Sequence, residues 1–170
     1  AAKIAGSAPF GITFTVPQLY KTDDSNSKLI AWYPNTGTKA GNAVTFPTID
    51  GDTDSMATEL KEGKKSDAGL NKQFKFEHML TQIQVKVYAD ASAISSWGTL
   101  TNLVIKGQKQ DIILTLPAAD TGTGLPVLST SGNDDLPLQF KTLAGTAVTT
   151  PVTLTTTATH IGYAMFAPYG

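Results

Sequence analysis

Phe74-Lys75-Phe76-Glu77-His78-Met79-Leu80-Thr81-Gln82-Ile83-Gln84-Val85-Lys86-Val87 is the stretch on which the fold turns. Phe74, Phe76, His78 and Leu80 share one parity, and Ile83, Val85 and Val87 share the other. Side chains of a strand alternate strictly between two faces, so one straight strand cannot bury both sets on the same side. Two solutions exist. A β-bulge falls between Met79 and Gln82, or the strand bends there and passes its apolar side to a second sheet. A helix does not fit, because Val, Ile and Tyr recur at period two through the second half.

Outward from this stretch, strand signals dominate. Ile12, Phe14 and Val16 alternate with Thr13 and Thr15 until Pro17 stops the run. Leu29 to Tyr33 is a second run, closed by Pro34-Asn35-Thr36-Gly37, and Val44 to Phe46 is a third, ended by Pro47. Between Asp50 and Leu70 the alternation fails. Asp52 to Ser55 supply a cap for one helical turn through Leu60, but Gly63 and Gly69 bracket it, and a surface excursion is expected. Leu100 to Ile105 and Asp111 to Leu116 suit a hairpin across Lys106 to Gln110. Ala118 to Asp135 reads as a long loop with a short apolar stop at Leu125 to Leu128. Leu136 to Phe140, Val152 to Thr156 and Ile161 to Phe166 complete the set. About seven to nine short strands with Gly and Pro punctuation describe a single all-β domain over residues 1–170, a Greek-key β-sandwich with long loops.

Composition narrows the function. Charged residues make up only 16% of the 170 residues, and Thr, Ser, Asn, Gln and Gly stand in their place. A low-charge, Thr-rich surface suits an extracellular β protein. All thirteen basic residues are Lys, none is Arg, and the net charge is -1. That balance argues against nucleic acid, which calls for a concentrated basic face, and against nucleotides, whose phosphates Arg clamps in bidentate fashion. The absence of Cys removes thiol chemistry, disulfides and zinc sites of the CxxC kind. No apolar stretch approaches the length of a membrane span. The first six residues are too short for an intact signal peptide, so any export signal is expected to be already gone.

Catalytic and metal-binding patterns do not assemble. His78 and His160 fall in different strands, and His78, set among Phe74, Phe76 and Leu80, reads as a buried imidazole bonded to backbone. Asp50, Asp52 and Asp54 resemble the start of a calcium loop, but Ser55 stands where the Gly is required and Lys61 where the bidentate Glu is. No GxSxG, GxGxxG or GxxxxGK[ST] motif occurs. No enzyme, metal or cofactor is expected. Trp32 and Trp97 are candidate stacking platforms for a sugar, weighed against ordinary core or edge filling.

The 74–87 run resembles the strand of the fimbrillin family, pilus subunits of Bacteroides-type bacteria, in which Phe, His and Leu at alternate positions precede alternating aliphatics; here these are Phe74, Phe76, His78, Leu80, Ile83, Val85 and Val87. Flanking features fall in the family's order. Ala31-Trp32-Tyr33-Pro34 is similar to its aromatic strand end, Asp52 to Ala57 to its short acidic segment, and Asp120-Thr121-Gly122 to its loop. Ala164 to Pro168 is similar to its closing strand. The resemblance implies a transthyretin-like N-terminal-type domain, exported as a lipoprotein precursor to the outer membrane and cell surface. It further implies polymerisation with other pilin subunits by strand exchange, with host or bacterial surface ligands as further partners. Members usually carry a second β domain, and in the best-known branch the maturation cut follows Arg, a residue absent here. The alternative expectation is an extracellular β-sandwich module that binds carbohydrate or another host ligand.

Overall fold

A computed structural model of the chain describes residues 2–5, 11–14, 16, 19–46, 50–67, 73–108, 111–118, 122–132 and 134–168. Among them are seventeen short strands and one helix, and every strand pairing is antiparallel. The all-β class with several antiparallel sheets, as a β-sandwich requires, is the architecture the chain forms. The strands outnumber the expected seven to nine because turns and changes of sheet cut the apolar runs into pieces. Pro17, Pro47, Gly69, Leu70, Asp120 and Thr121, which figured in the expected boundaries and motifs, lie outside the described residues.

The chain divides into two compact units, one of Ala1–Leu29 with Lys61–Gln73 and one of Ile30–Leu60 with Phe74–Gly170. In the smaller unit, with strands numbered along the chain, β1 (Ala2–Ala5) pairs with β2 (Gly11–Phe14), and β3 (Ser27–Leu29) pairs with β8 (Lys61–Gly63). Val16, expected at the end of the Ile12 to Val16 run, lies beyond β2 and is exposed. Polar contacts hold the β3–β8 region. Lys28 Nζ lies 2.8 Å from Glu62 Oε1, and Asn26 donates to Glu62 Oε2 at 3.0 Å. The Asp24 carboxylate accepts from the Ser66 amide at 2.9 Å.

The larger unit holds two apolar clusters. The first lies against a four-stranded sheet in which β13 (Asp111–Thr115) runs between β6 (Ala43–Phe46) and β14 (Val127–Ser131), with β5 (Thr38–Ala40) outside β6. Val44, Phe46, Ile112 and Leu114 alternate inward from its two central strands and are buried. The second cluster gathers Leu136, Leu138, Val152, Ile161 and Ala164. Its strands are β10 (Thr81–Val87) with β17 (Thr159–Phe166), β12 (Val104–Gln108) with β15 (Asp134–Pro137), and β11 (Thr99–Leu100) with β16 (Val152–Thr153).

The parity break in 74–87 is a change of sheet. β9 (Phe76–His78) pairs with β7 (Met56–Thr58), which in turn pairs with β4 (Trp32–Tyr33). After the Met79 amide bonds the Ser55 carbonyl at 2.7 Å, the chain resumes as β10 and pairs with β17. Leu80 is buried in the first cluster, while Ile83, Val85 and Val87 pack on the second. Of the two solutions open to the sequence, the chain takes the bend. A separate irregularity follows between Val85 and Lys86, which pair with Gly162 and His160 and so leave Ile161 as the extra residue.

The same division overturns the expected 100–116 hairpin. Ile105 packs on the second cluster, and Ile112 and Leu114 belong to the first, so β12 pairs with β15 and β13 with β6 and β14. The Asp50 to Leu70 excursion contains β7 and β8. The surface loop expected there is in part a buried strand, because Ala57 and Thr58 are fully buried between two pairing partners and tertiary packing overrides the local signals. The expected 118–135 loop contains β14 and the start of β15. The one helix also went unforeseen, α1 (Ala91–Trp97), with Asp90 as N-cap and Gly98 as C-cap at φ 66°. Both caps are visible in the sequence, but the helix buries no side chain and so leaves no apolar period to find.

Candidate functional site

The acidic loop at 50–54 gathers three carboxylates that bond in three different directions. Asp50 turns inward and accepts from the amides of Asp52 at 2.8 Å and Thr53 at 3.0 Å. Asp52 accepts from the Tyr163 hydroxyl of β17 at 2.6 Å and from Lys141 Nζ at 2.5 Å. Asp54 pairs with Nδ1 of His78 in β9. The Lys141 ammonium and the Tyr163 hydroxyl together hold the Asp52 carboxyl below its ordinary range. The same bonds to Asp52 push Lys141 and Tyr163 upward.

This loop is a clasp. The Gly51 carbonyl accepts from the Met165 amide at 2.8 Å, and the Asp50 carbonyl from Gln139 Nε2 at 2.8 Å. Gly162 permits the close approach of β17 to Gln139, since a Cβ there would stand 2.2 Å from the Gln139 carbonyl oxygen. Among the described residues no group of three or more His, Cys, Asp or Glu is placed to hold a metal ion. Each carboxylate bonds a neighbour, although Asp54 Oδ1 is buried without a hydrogen-bond partner, and these bonds tie the loop to the strands around it.

His78 differs from its expected place. Its side chain is 73% exposed and bonded to a carboxylate, because β9 is the outer strand of β4–β7–β9 and His78 lies beside the Asp54 loop. His160 lies in β17 opposite Lys86, so the two histidines stand in different sheets. Phe74 and Phe76 are half-buried near His78 in sequence, Leu80 enters the first cluster, and Ile83, Val85 and Val87 pack on the second. The two tryptophans also part. Trp32 packs against the first cluster, whereas Trp97 is 79% exposed at the end of α1.

One candidate backbone site is an edge of the four-stranded sheet. In the four-stranded sheet the outer strands are β5 and β14, and among the described residues neither has a second pairing partner. β5 is short, fully exposed and carries Lys39, whose ammonium donates to the Gly41 carbonyl at 2.6 Å. Short, charged edges are how sheets discourage pairing with other chains. β14 reads Val-Leu-Ser-Thr-Ser, with no charge and no proline. Its Leu128 packs on the first cluster, and its Val127 is 67% exposed. It is an unguarded edge over a formed core. Sequence reasoning missed it because a five-residue strand with three hydroxyl side chains looks like loop.

Comparison with protein-family models, with curated proteins and with solved structures gives no match to this chain. No helix among the described residues is long and apolar enough to cross a membrane.

Proposed function

We propose that this chain is a non-enzymatic structural subunit of a fimbria at the bacterial cell surface, joined to other subunits by strand exchange. The observation that carries the reading is the β14 edge. Among the described residues its outer side has no strand partner beside the first cluster, and such an edge is what β-strand addition uses. The order of fimbrillin-like motifs along the sequence supplies the class of assembly, and the neutral, Arg-free composition is compatible with an exported surface protein.

Electron microscopy of the purified chain under assembly conditions tests it. Wild type is expected to form filaments in which the outward amides of 127–131 become protected from exchange. Val127→Lys, at an exposed position on the edge, is expected to stay folded and unassembled. Filaments formed equally well by Val127→Lys would rule out β14 as the joint.

A second reading, a carbohydrate-binding surface module, is favoured by one observation. Trp97 presents its ring to solvent and is available for stacking, while Trp32 is committed to the core. Glycan-array binding lost in Trp97→Ala and retained in Trp32→Phe would support it.

A further inference from the structure

We infer that in the free subunit the β14 edge pairs with β14 of a second copy of this chain, antiparallel and centred on Ser129. The inference rests on the edge invoked above and names its occupant before assembly. Antiparallel pairing of a strand with its own copy is a two-fold contact, in which each residue meets a fixed counterpart. Centred on Ser129, it sets Ser129 against Ser129, Leu128 against Thr130 and Val127 against Ser131. Residues of one parity meet residues of the same parity, so the inward pair Leu128 and Thr130 continues the core side of both sheets. Exposed Val127, Ser129 and Ser131 meet on the outer side.

Charge decides which edge can do this. Like charges directly opposite each other destabilise a strand pair. β14 has no charged residue to set against itself, whereas the same operation on β5 places Lys39 opposite Lys39. One edge of the sheet is self-compatible and the other is self-repelling. The pairing occupies the unguarded backbone reversibly, and a donor strand from another subunit competes with it. With five residues on each side, the contact is small beside those of stable dimers, so the association is weak and concentration-dependent.

Sedimentation of the full chain over a concentration series tests the inference. Wild type is expected to shift from monomer to dimer as concentration rises. Ser129→Lys and Ser129→Glu, at an exposed position, are each expected to lose the dimer, and an equimolar mixture of the two is expected to regain it. Lys39→Glu is expected to leave dimerisation unchanged. The inference is overturned if wild type stays monomeric up to about 1 mM, the weak end of measurable affinity. A dimer that survives in Ser129→Lys, a mixture that stays monomeric, or a dimer lost in Lys39→Glu overturns it equally. Filaments from a subunit that is monomeric at every concentration would remove this pairing and leave the fibre reading intact. Dimers that follow the pattern, from a chain that never forms filaments, would do the reverse.

Discussion

The two apolar clusters of the larger unit are built from the same residue types and end differently at their margins. The first lies against a four-stranded sheet whose outer strand β14 carries no charge, and the second draws together three two-stranded pairings. The chain passes between them at 79–80 and again between β12 and β13. The acidic loop reaches the strands of both, with Asp52 on Tyr163 of β17 and Asp54 on His78 of β9. The difference teaches that burial alone does not define a working surface here. What separates the regions is how the strands associate, four in one sheet beside the first cluster and two by two around the second.

The largest effects test whether the clusters act as one. Ile112→Ala in the first and Ile161→Ala in the second each remove a fully buried side chain and are expected to cost about 2–5 kcal/mol. If the crossings couple the clusters, denaturant unfolding of each variant keeps a single shifted transition. Two separated transitions in Ile161→Ala would break that coupling. Next comes Gly162→Ala, which drives a Cβ into the Gln139 carbonyl and is expected to cost about 1–3 kcal/mol. Amide exchange should show the loosening first in β17 and the 50–54 loop.

The two arms of the clasp give smaller, unequal effects. Tyr163→Phe removes a buried hydroxyl from a charged acceptor and is expected to cost about 1–2 kcal/mol. His78→Ala, at an exposed position, is expected to stay within about 0.5 kcal/mol. The Asp52 carboxyl is depressed below its ordinary value of 3.8 in the folded chain. Its contribution is therefore present above that value and lost as pH falls through the lower folded one. Tyr163 and Lys141 are raised above 10.0 and 10.5, so their contributions are lost as pH climbs through still higher values. Asp52→Asn should flatten the stability profile at both ends, with little change in its dependence between pH 5 and 8, as pH-resolved thermal melts would show. The smallest effect is Trp97→Ala, expected within about 0.5 kcal/mol because the ring is exposed.

The sequence carried the fold class wherever apolar residues alternate over a formed core. Phe74 to Val87 revealed by parity that the strand must break, and it breaks at Met79 and Leu80. It did not reveal which strands pair. Val104 to Gln108 and Asp111 to Thr115 look like hairpin arms, and only their packing on different clusters sends them to separate partners. Met56 to Thr58 follows the cap signal of Asp52 to Ser55 in a segment that reads as a surface excursion, and burial between β4 and β9 makes it a strand. The candidate site was the least legible part. The edge strand β14 is rich in hydroxyls because one face meets water, and that is what made it resemble a loop.

Backbone amide exchange on the dilute, monomeric chain tests the central claim, an open β14 beside a closed β13, most directly. β13 is bonded on both sides and β14 on one. The account predicts that alternate, outward-pointing amides of 127–131 exchange rapidly while the amides of 111–115 are protected along the whole strand. Uniform protection of 127–131, matching that of β13, would mean the edge is already covered and would contradict it.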